Sequence, residues 1–554
     1  MAEQAEKTLQ GDEERAGRVE LLWLCGVFSL WTWLQRFRGG EVLRPEEGFS
    51  LPLPSTPDPL VQVIGQGWSS GMGSACMTLL ALMALLFCLF APAARAQVMD
   101  NNIEAQPEIR VATPLPPKRD DDITVPAFNT PQAVFPTGFG ALSWLRKRGV
   151  NYLLSNTNEF AGAITKPTKG FPTYKQGASN AGQTAMSLDV NWEQILGMRG
   201  FATHVITVGR YGTTANRMFG DWLNHASEDY GGGGNVVVHL VTAYGEETLF
   251  GARLSIAAGR LGEMANFESS PLFCNFQNGS MCGRPKAATD NPYVSGYPGA
   301  VWGGRIRGRP QRFIYLQTGA YAAEEGIYGV AQHRTGFKYN GATIHGVRLP
   351  FEAGWEPVFQ NKFPGHYKVG AVLMTAPTAD NYRDASGQPY VLTGRKPAMK
   401  RNTYGAWFMM DQQLLNHYHD KKRGLIFMTG FLYNDASVAL REWETYAALI
   451  DRGIFRSRPY DTFGIAFTYE RMPHGVQRTD ALLLHGRHSA PYGSMPNHAT
   501  GIQRHASVLE VNYAVHVARG IIVQPLFEYF VRPNGQGNLR NAALLGCKTM
   551  VEIF

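Results

Sequence analysis

Charge is scarce in this sequence, and what there is does not cluster. Charged side chains make up 18% of the 554 residues, and the net charge of +7 comes mostly from arginines scattered singly. A nucleic-acid partner needs a basic stripe on one element, so that class is set aside. Cysteine is sparse too, six in all, which excludes a disulfide-dense scaffold. From residue 138 onward there is no G-x-S-x-G, H-E-x-x-H, P-loop or C-x-x-C pattern. The usual signatures of a serine hydrolase, a zinc protease, a nucleotide cradle and a redox pair are therefore missing. His417 and His419 stand in a polar turn without a third ligand, so no metal is expected. The glycine run 231–234 has no helix behind it to cradle a phosphate, and no cofactor is implied.

Glycine (61) and aromatics (12%) are plentiful instead, a mix that suits short strands and turns better than helices. An apolar run from Met77 to Phe90 is followed by Ala94-Arg95-Ala96. This reads as a secretory signal cleaved before Gln97, since the run is short of the ~20 residues a spanning helix needs. Residues 1–96 are accordingly leader and signal peptide, with 1–71 an over-extended start or dispensable leader and translation beginning at Met72 or Met77. Residues 97–137, proline-rich from Pro107 to Pro136 and carrying Lys118-Arg119-Asp120-Asp121-Asp122, cannot bury a core. They read as a disordered periplasmic linker.

From residue 138 to 554 the pattern changes to alternation. Met186, Leu188, Val190 and Trp192 interleave with Ser187, Asp189, Asn191 and Glu193. Tyr367, Val369, Ala371 and Leu373 interleave with His366, Lys368 and Gly370, and Phe463, Ile465, Phe467 and Tyr469 with Gly464, Ala466, Thr468 and Glu470. Period two sends each set to one face of a strand. Sixteen such segments are expected, at 150–163, 184–194, 200–212, 235–248, 252–263, 300–309, 312–323, 343–357, 365–376, 402–414, 424–434, 445–456, 461–471, 508–518, 521–532 and 541–554. Their lengths fit tilted membrane strands, and aromatics recur near their ends. Lipid forbids open sheet edges, so the expectation is a transmembrane antiparallel up-and-down β-barrel of about sixteen strands, wide enough for a water-filled lumen.

The block Trp302-Gly-Gly-Arg-Ile-Arg-Gly-Arg-Pro310 and then Tyr315-Leu-Gln-Thr-Gly-Ala-Tyr321 resembles the carbohydrate-selective porins of the OprB type. Pro364–Gly370, Tyr404–Gln412, Arg423–Phe427, and Glu510-Val-Asn-Tyr513 leading to Val523-Gln-Pro525 and Glu528-Tyr529 agree in order, so the resemblance covers roughly 139–554. It implies a sixteen-stranded barrel of the bacterial outer membrane with short periplasmic turns, longer external loops, and a charged and aromatic eyelet through which mono- and disaccharides diffuse. Small sugars, outer-membrane lipid and the barrel-assembly machinery are the implied partners. Phe554 would be the assembly signal, although its parity mates Glu552, Met550 and Lys548 are polar, while Leu545, Cys547, Thr549, Val551 and Ile553 form the more apolar set. Either a bulge resets the register there or the signal is weak. Rival readings are an outer-membrane barrel enzyme such as a lipase and a surface adhesin.

Sugars offer hydroxyls around an apolar ring face, so a selective pore wants bidentate donors, carboxylates and an aromatic platform. Arg305, Arg307 and Arg309 share one parity; on a lipid face each would cost about 2–4 kcal/mol at midplane, so they belong to the lumen. The same test assigns Arg253, Lys368, Asp189, Glu193, Asp411, Glu470 and Glu510 to the lumen, as eyelet groups or as merely wet wall. The segment 264–299 is either a loop folded into the pore or an external cap. Within it Cys274 and Cys282 are spaced for a small disulfide ring in an oxidising compartment, with free thiols or a metal pair as alternatives.

Overall fold

The computed structural model describes residues 133–171, 173–228, 236–289, 293–327, 335–337, 344–486 and 495–554. The signal segment, the leader and the linker up to residue 132 lie outside the described residues.

Sixteen strands form the wall: β1 (Val150–Ala163), β2 (Ala178–Asn191), β3 (Phe201–Gly212), β4 (Val236–Leu249), β5 (Leu254–Leu261), β6 (Val301–Gln311), β7 (Ile314–Glu324), β8 (Ile344–Trp355), β9 (Phe363–Met374), β10 (Thr403–Asn416), β11 (Gly424–Asn434), β12 (Trp443–Arg452), β13 (Thr462–Arg471), β14 (His505–Ala518), β15 (Ile521–Val531) and β16 (Ala542–Glu552). Each pairs antiparallel with its sequence neighbour, and β1 also pairs with β16, in a register running from Ser155↔Glu552 to Ala163↔Leu544. That last pairing closes the barrel and removes the edges that lipid would leave unsatisfied. A two-residue strand, Val358–Phe359, pairs with the start of β9, and a small hairpin of Thr378–Asp384 with Pro397–Lys400 sits in a loop outside the wall.

Alternation decides the faces. Val369, Leu373, Tyr404, Phe408 and Phe431 are exposed on the outer face, where a soluble protein would suffer and a bilayer is satisfied. Rings gather near both ends of that face: Trp355 lies 5.2 Å from Tyr367 near the short turns, and Trp443 lies 5.2 Å from Tyr469 near the long loops. The connections at 250–253, 312–313 and 519–520 are tight, whereas those at 213–235, 262–300, 375–402 and 472–504 are long.

Two expected wall residues lie outside the wall. The second strand ends at Asn191, whose side chain accepts the Glu193 N–H at 2.9 Å and caps the short helix Trp192–Leu196, which Gly197 ends in a left-handed conformation. Glu193 is thus exposed at a turn rather than lumenal. Arg253 belongs to the β4–β5 turn, where Phe250, Gly251 and Ala252 all have positive φ, and it is likewise exposed. A parity argument fails at both places because one strand has already ended and the other has not yet begun. At the C-terminus the register does shift: the N–H groups of Ile553 and Phe554 both donate to the Leu154 carbonyl, at 2.8 and 3.2 Å. Two residues opposite one is a bulge, and it brings the Phe554 ring to within 6.3 Å of both Tyr152 and Phe135. The chain is already tied to this edge at Val134, whose N–H donates to the Glu552 carbonyl at 2.8 Å, so the last few residues assigned to the linker are held against the barrel.

Candidate functional site: a charged wall facing an inserted loop

Between β5 and β6 the described residues 262–289 and 293–300 turn into the barrel. Phe267, Phe273, Phe276 and Met281 are buried together with inward residues of the far wall, Trp407, Met409, Ile426, Met428, Tyr446 and Ile450. Phe273 meets Tyr446 edge to face at 5.5 Å. Polar anchors pin the rest. Glu510 on β14 accepts the Gln277 and Asn278 N–H groups at 3.0 and 2.7 Å, and the Asn275 carbonyl accepts from Asn512 and Gln524, each at 2.9 Å. Lys548 donates to the Phe276 carbonyl at 3.0 Å and pairs with Glu159 at 3.1 Å. Glu444 accepts the Ala287 N–H at 2.6 Å, Lys368 donates to the Ser269 carbonyl at 2.6 Å, and Arg348 clasps Glu263 through two bonds of 2.6 and 3.0 Å. Of the two readings of this loop, the inserted one holds.

Lys368 and Glu510 therefore face inward as their parity requires, but they are committed to holding the loop. Glu470 is similar: it accepts from Asn224 at 2.6 Å and from Arg441, holding the loop after β3. Asp411 is inward, buried, and bonded to His366 at 2.6 Å. Within the loop, Glu268 is buried, and burial together with the neighbouring Glu263 carboxylate pushes its pKa up to about 8. Cys274 and Cys282 are free thiols, the Cys282 thiol donating to the Cys274 sulfur at 2.9 Å, so the structure holds the pair in contact and not as the closed ring.

The opposite wall is open. Ser155, Thr157, Ala185 and Ser187 face inward on β1 and β2 and remain half-exposed, whereas every inward residue of β12, from Glu444 to Arg452, is buried. The arginine row lies on β6, the strand that follows the loop, where Arg305 is buried and Arg307 and Arg309 are half-buried. Arg305 pairs with Glu246 at 2.8 Å and donates to the Ser255 hydroxyl at 3.0 Å. Arg309 grips Glu356 through two bonds of 2.8 and 3.4 Å. Between them Arg307 uses only its Nε, donating to Gln317 at 2.8 Å, while its guanidinium lies 5.3 Å from the Tyr315 ring. No carboxylate pairs with it among the described residues, so of the three it is the one whose terminal amines are uncommitted. Beside the row, Asp189 holds the His204 Nδ1 at 2.7 Å, and His204 stacks on Tyr244 at 4.8 Å and reaches Glu246 at 4.0 Å. The site is thus a strip of alternating acid and base with tyrosines in reach. The parity argument found Asp189 and the three arginines but missed Glu246, Glu356 and the buried Glu352, which accepts from the Tyr315 hydroxyl at 2.8 Å. Glu246 shares parity with Tyr244 and Thr242, a signal that was available; its pairing with Arg305 was not.

The profile of the carbohydrate-selective porin, OprB family, matches residues 175–553. The chain belongs to that family. Porin B of Pseudomonas aeruginosa is 26% identical over 426 residues, which are 74% of this chain and 88% of that protein. Among solved structures, the high-pH structure of OprB from Pseudomonas putida superposes with a TM-score of 0.70 at 24% identity, covering 76% of this chain and 98% of the other. That likeness establishes the sixteen-stranded fold. The porin is accordingly an outer-membrane channel for carbohydrate, and the enzyme and adhesin readings are not favoured.

Proposed function

We propose that this porin passes small neutral sugars, mono- and disaccharides, by diffusion through the open side of the lumen, and that Arg307 is the donor that meets them. The supporting observation is the asymmetry of the β6 row, in which Arg305 and Arg309 are neutralised by Glu246 and Glu356 while Arg307 keeps two amines for a solute. A guanidinium fork matches a pair of vicinal hydroxyls, and the flanking ion pairs supply acceptors for the remaining ones. Because the pairs are balanced, the strip attracts dipolar sugars without holding an ion. Proteoliposomes carrying the full chain should swell in glucose and in a disaccharide. Replacing Arg307→Ala should slow disaccharide entry about fivefold, the equivalent of losing ~1 kcal/mol of hydrogen bonding. A wild-type protein that leaves liposomes impermeable to glucose would overturn the reading.

The last strand carries a second role. Its outward set, Leu545, Val551 and Ile553, together with Phe554 brought round by the bulge, supports recognition by the barrel-assembly machinery. Removing Phe554 should lower the folded fraction in cells, read as the heat-modifiable band, and an unchanged fraction would refute that role.

A further inference from the structure

Seven connections join the strands at the end opposite the long loops, and their exposed side chains follow one pattern. Leu196 shares its turn with Arg199, Phe250 with Arg253, Phe313 with Arg312 and Phe359 with Lys362, and all eight side chains are exposed. Phe359 also lies edge-on to Trp355 of the outward aromatic girdle, at 5.8 Å. None of these cations pairs with a carboxylate among the described residues. Over the same seven connections the exposed carboxylates are Glu193 and Asp420 alone, since Glu356 and Asp461 are engaged by Arg309 and Arg458. The pattern is densest where two neighbouring turns, 417–423 and 453–461, are fastened together. Arg423 donates to the Gly453 and Phe455 carbonyls at 2.6 and 3.0 Å, and the Tyr418 hydroxyl donates to the Ile454 carbonyl at 2.9 Å. The Arg423 guanidinium covers the Tyr418 ring at 4.6 Å, and that of Arg456 approaches the same ring at 5.9 Å. This joint exposes Lys421, Lys422 and Arg456 together with Tyr418, Ile454 and Phe455. Asp420 is its exposed carboxylate, while Asp451 is held by His417 at 2.7 Å.

Exposed apolar groups and exposed cations on the same turns call for an amphipathic anion. A soluble acid leaves the rings in water, and a lipid without net charge leaves the cations unanswered. Rings at this level of a barrel lie among headgroups, and cations there are drawn to an anionic leaflet. We propose that this rim, and above all the joint of 417–423 with 453–461, binds an anionic glycerophospholipid of the periplasmic leaflet, with Lys421, Lys422 and Arg456 at its phosphate and Tyr418, Ile454 and Phe455 against its glycerol and upper acyl carbons. The assignment rests on the outer-membrane reading, because it is that reading which turns the short connections toward the periplasm.

The test is retention of added lipid by the full-length, detergent-extracted porin in native mass spectrometry. Phosphatidylglycerol is compared with phosphatidylethanolamine of the same acyl chains, and soluble muropeptides, acidic but without acyl chains, are added as competitor. Phosphatidylglycerol should be retained about tenfold better than phosphatidylethanolamine, and K421Q/K422Q/R456Q should cut that ratio to about threefold or less, the other turns keeping the remainder. K166Q/K169Q/K175Q removes the same charge from exposed lysines at the loop end and should leave the ratio unchanged. Equal retention of the two lipids, or an unchanged ratio in the first variant, overturns the proposal. An equal fall in the second variant overturns the placement on the turns, and full displacement of phosphatidylglycerol by muropeptides overturns the lipid. Should the first variant fail to show a heat-modifiable band, K422Q/R456Q replaces it, judged by the same ratio. Liposome swelling in glucose is read in parallel, so a failure of the porin reading shows there and not in the lipid ratio.

Discussion

The two sides of this barrel use the same alternation for different ends. On β1 and β2 the inward positions, Ser155, Thr157, Ala185 and Ser187, are small or polar and half-exposed, as water demands. Midway along β10, β11 and β12 the inward positions include Trp407, Met409, Ile426, Met428, Tyr446 and Ile450, and they are buried beneath the inserted loop. Those middle stretches are apolar on both faces, since Phe408, Phe427 and Leu449 point to lipid from them. A strand that is apolar on both faces is covered on both. In a porin this marks where a loop docks inside, and the remaining polar arc marks where solute passes.

The comparison can be broken most severely by removing an aromatic that joins loop to wall. Phe273→Ala should cost loop docking ~3–5 kcal/mol, from lost burial and the cavity left against Tyr446. Limited proteolysis within 262–300 should accelerate, and sugars larger than disaccharides should enter proteoliposomes. Unchanged protection would mean that the loop is held by its polar anchors alone. Those anchors come next: Glu510→Ala strips two N–H groups of their charged acceptor, at about 1.5–3 kcal/mol each, and should loosen the same segment less than Phe273→Ala does if part of the loss is recovered by water. Equal or greater protease sensitivity would reverse the ranking of apolar and polar contributions.

A smaller effect follows from Glu268. Its folded pKa of about 8 lies above the ordinary carboxylate value because burial disfavours the charge, so the docked loop binds a proton that the undocked loop gives up. Docking is therefore strongest below the ordinary value and weakens as pH rises toward 8, by ~1.4 kcal/mol per unit while only the docked form is protonated. The size cut-off in swelling assays should widen between pH 6 and pH 8, and Glu268→Gln should flatten that dependence. A wild-type cut-off that is constant over this range counts against it. Least of all should matter Arg253, exposed in the β4–β5 turn: Arg253→Ala is expected to leave sugar flux unchanged and stability within ~0.5 kcal/mol, and a marked loss of flux would return it to the pathway.

The sixteen strands were legible because each repeats a two-residue period over enough length to be unmistakable, and 424–434 matches its observed bounds in full. Legibility failed at the ends of elements. The second strand ends at Asn191 instead of 194, and β5 begins at Leu254 instead of 252, so Glu193 and Arg253 leave the wall. It failed again for Lys368, Glu470 and Glu510, whose direction was right and whose partners were not readable, because those partners are brought to them by loops dozens of residues away along the chain.

Alternation and aromatic placement determine by themselves that this chain builds a lipid-facing wall around an interior, since each residue's face follows from its neighbour's. Which part of that interior is water and which is packed was decided only when 262–300 folded inward, because docking depends on where inward aromatics and carboxylates from separate strands converge in space. The same holds for the arginine row: its parity belongs to the sequence, but the carboxylates that leave Arg307 the uncommitted member come from β4 and from the turn after β8, which only the side-by-side pairing of β4 to β8 sets beside it.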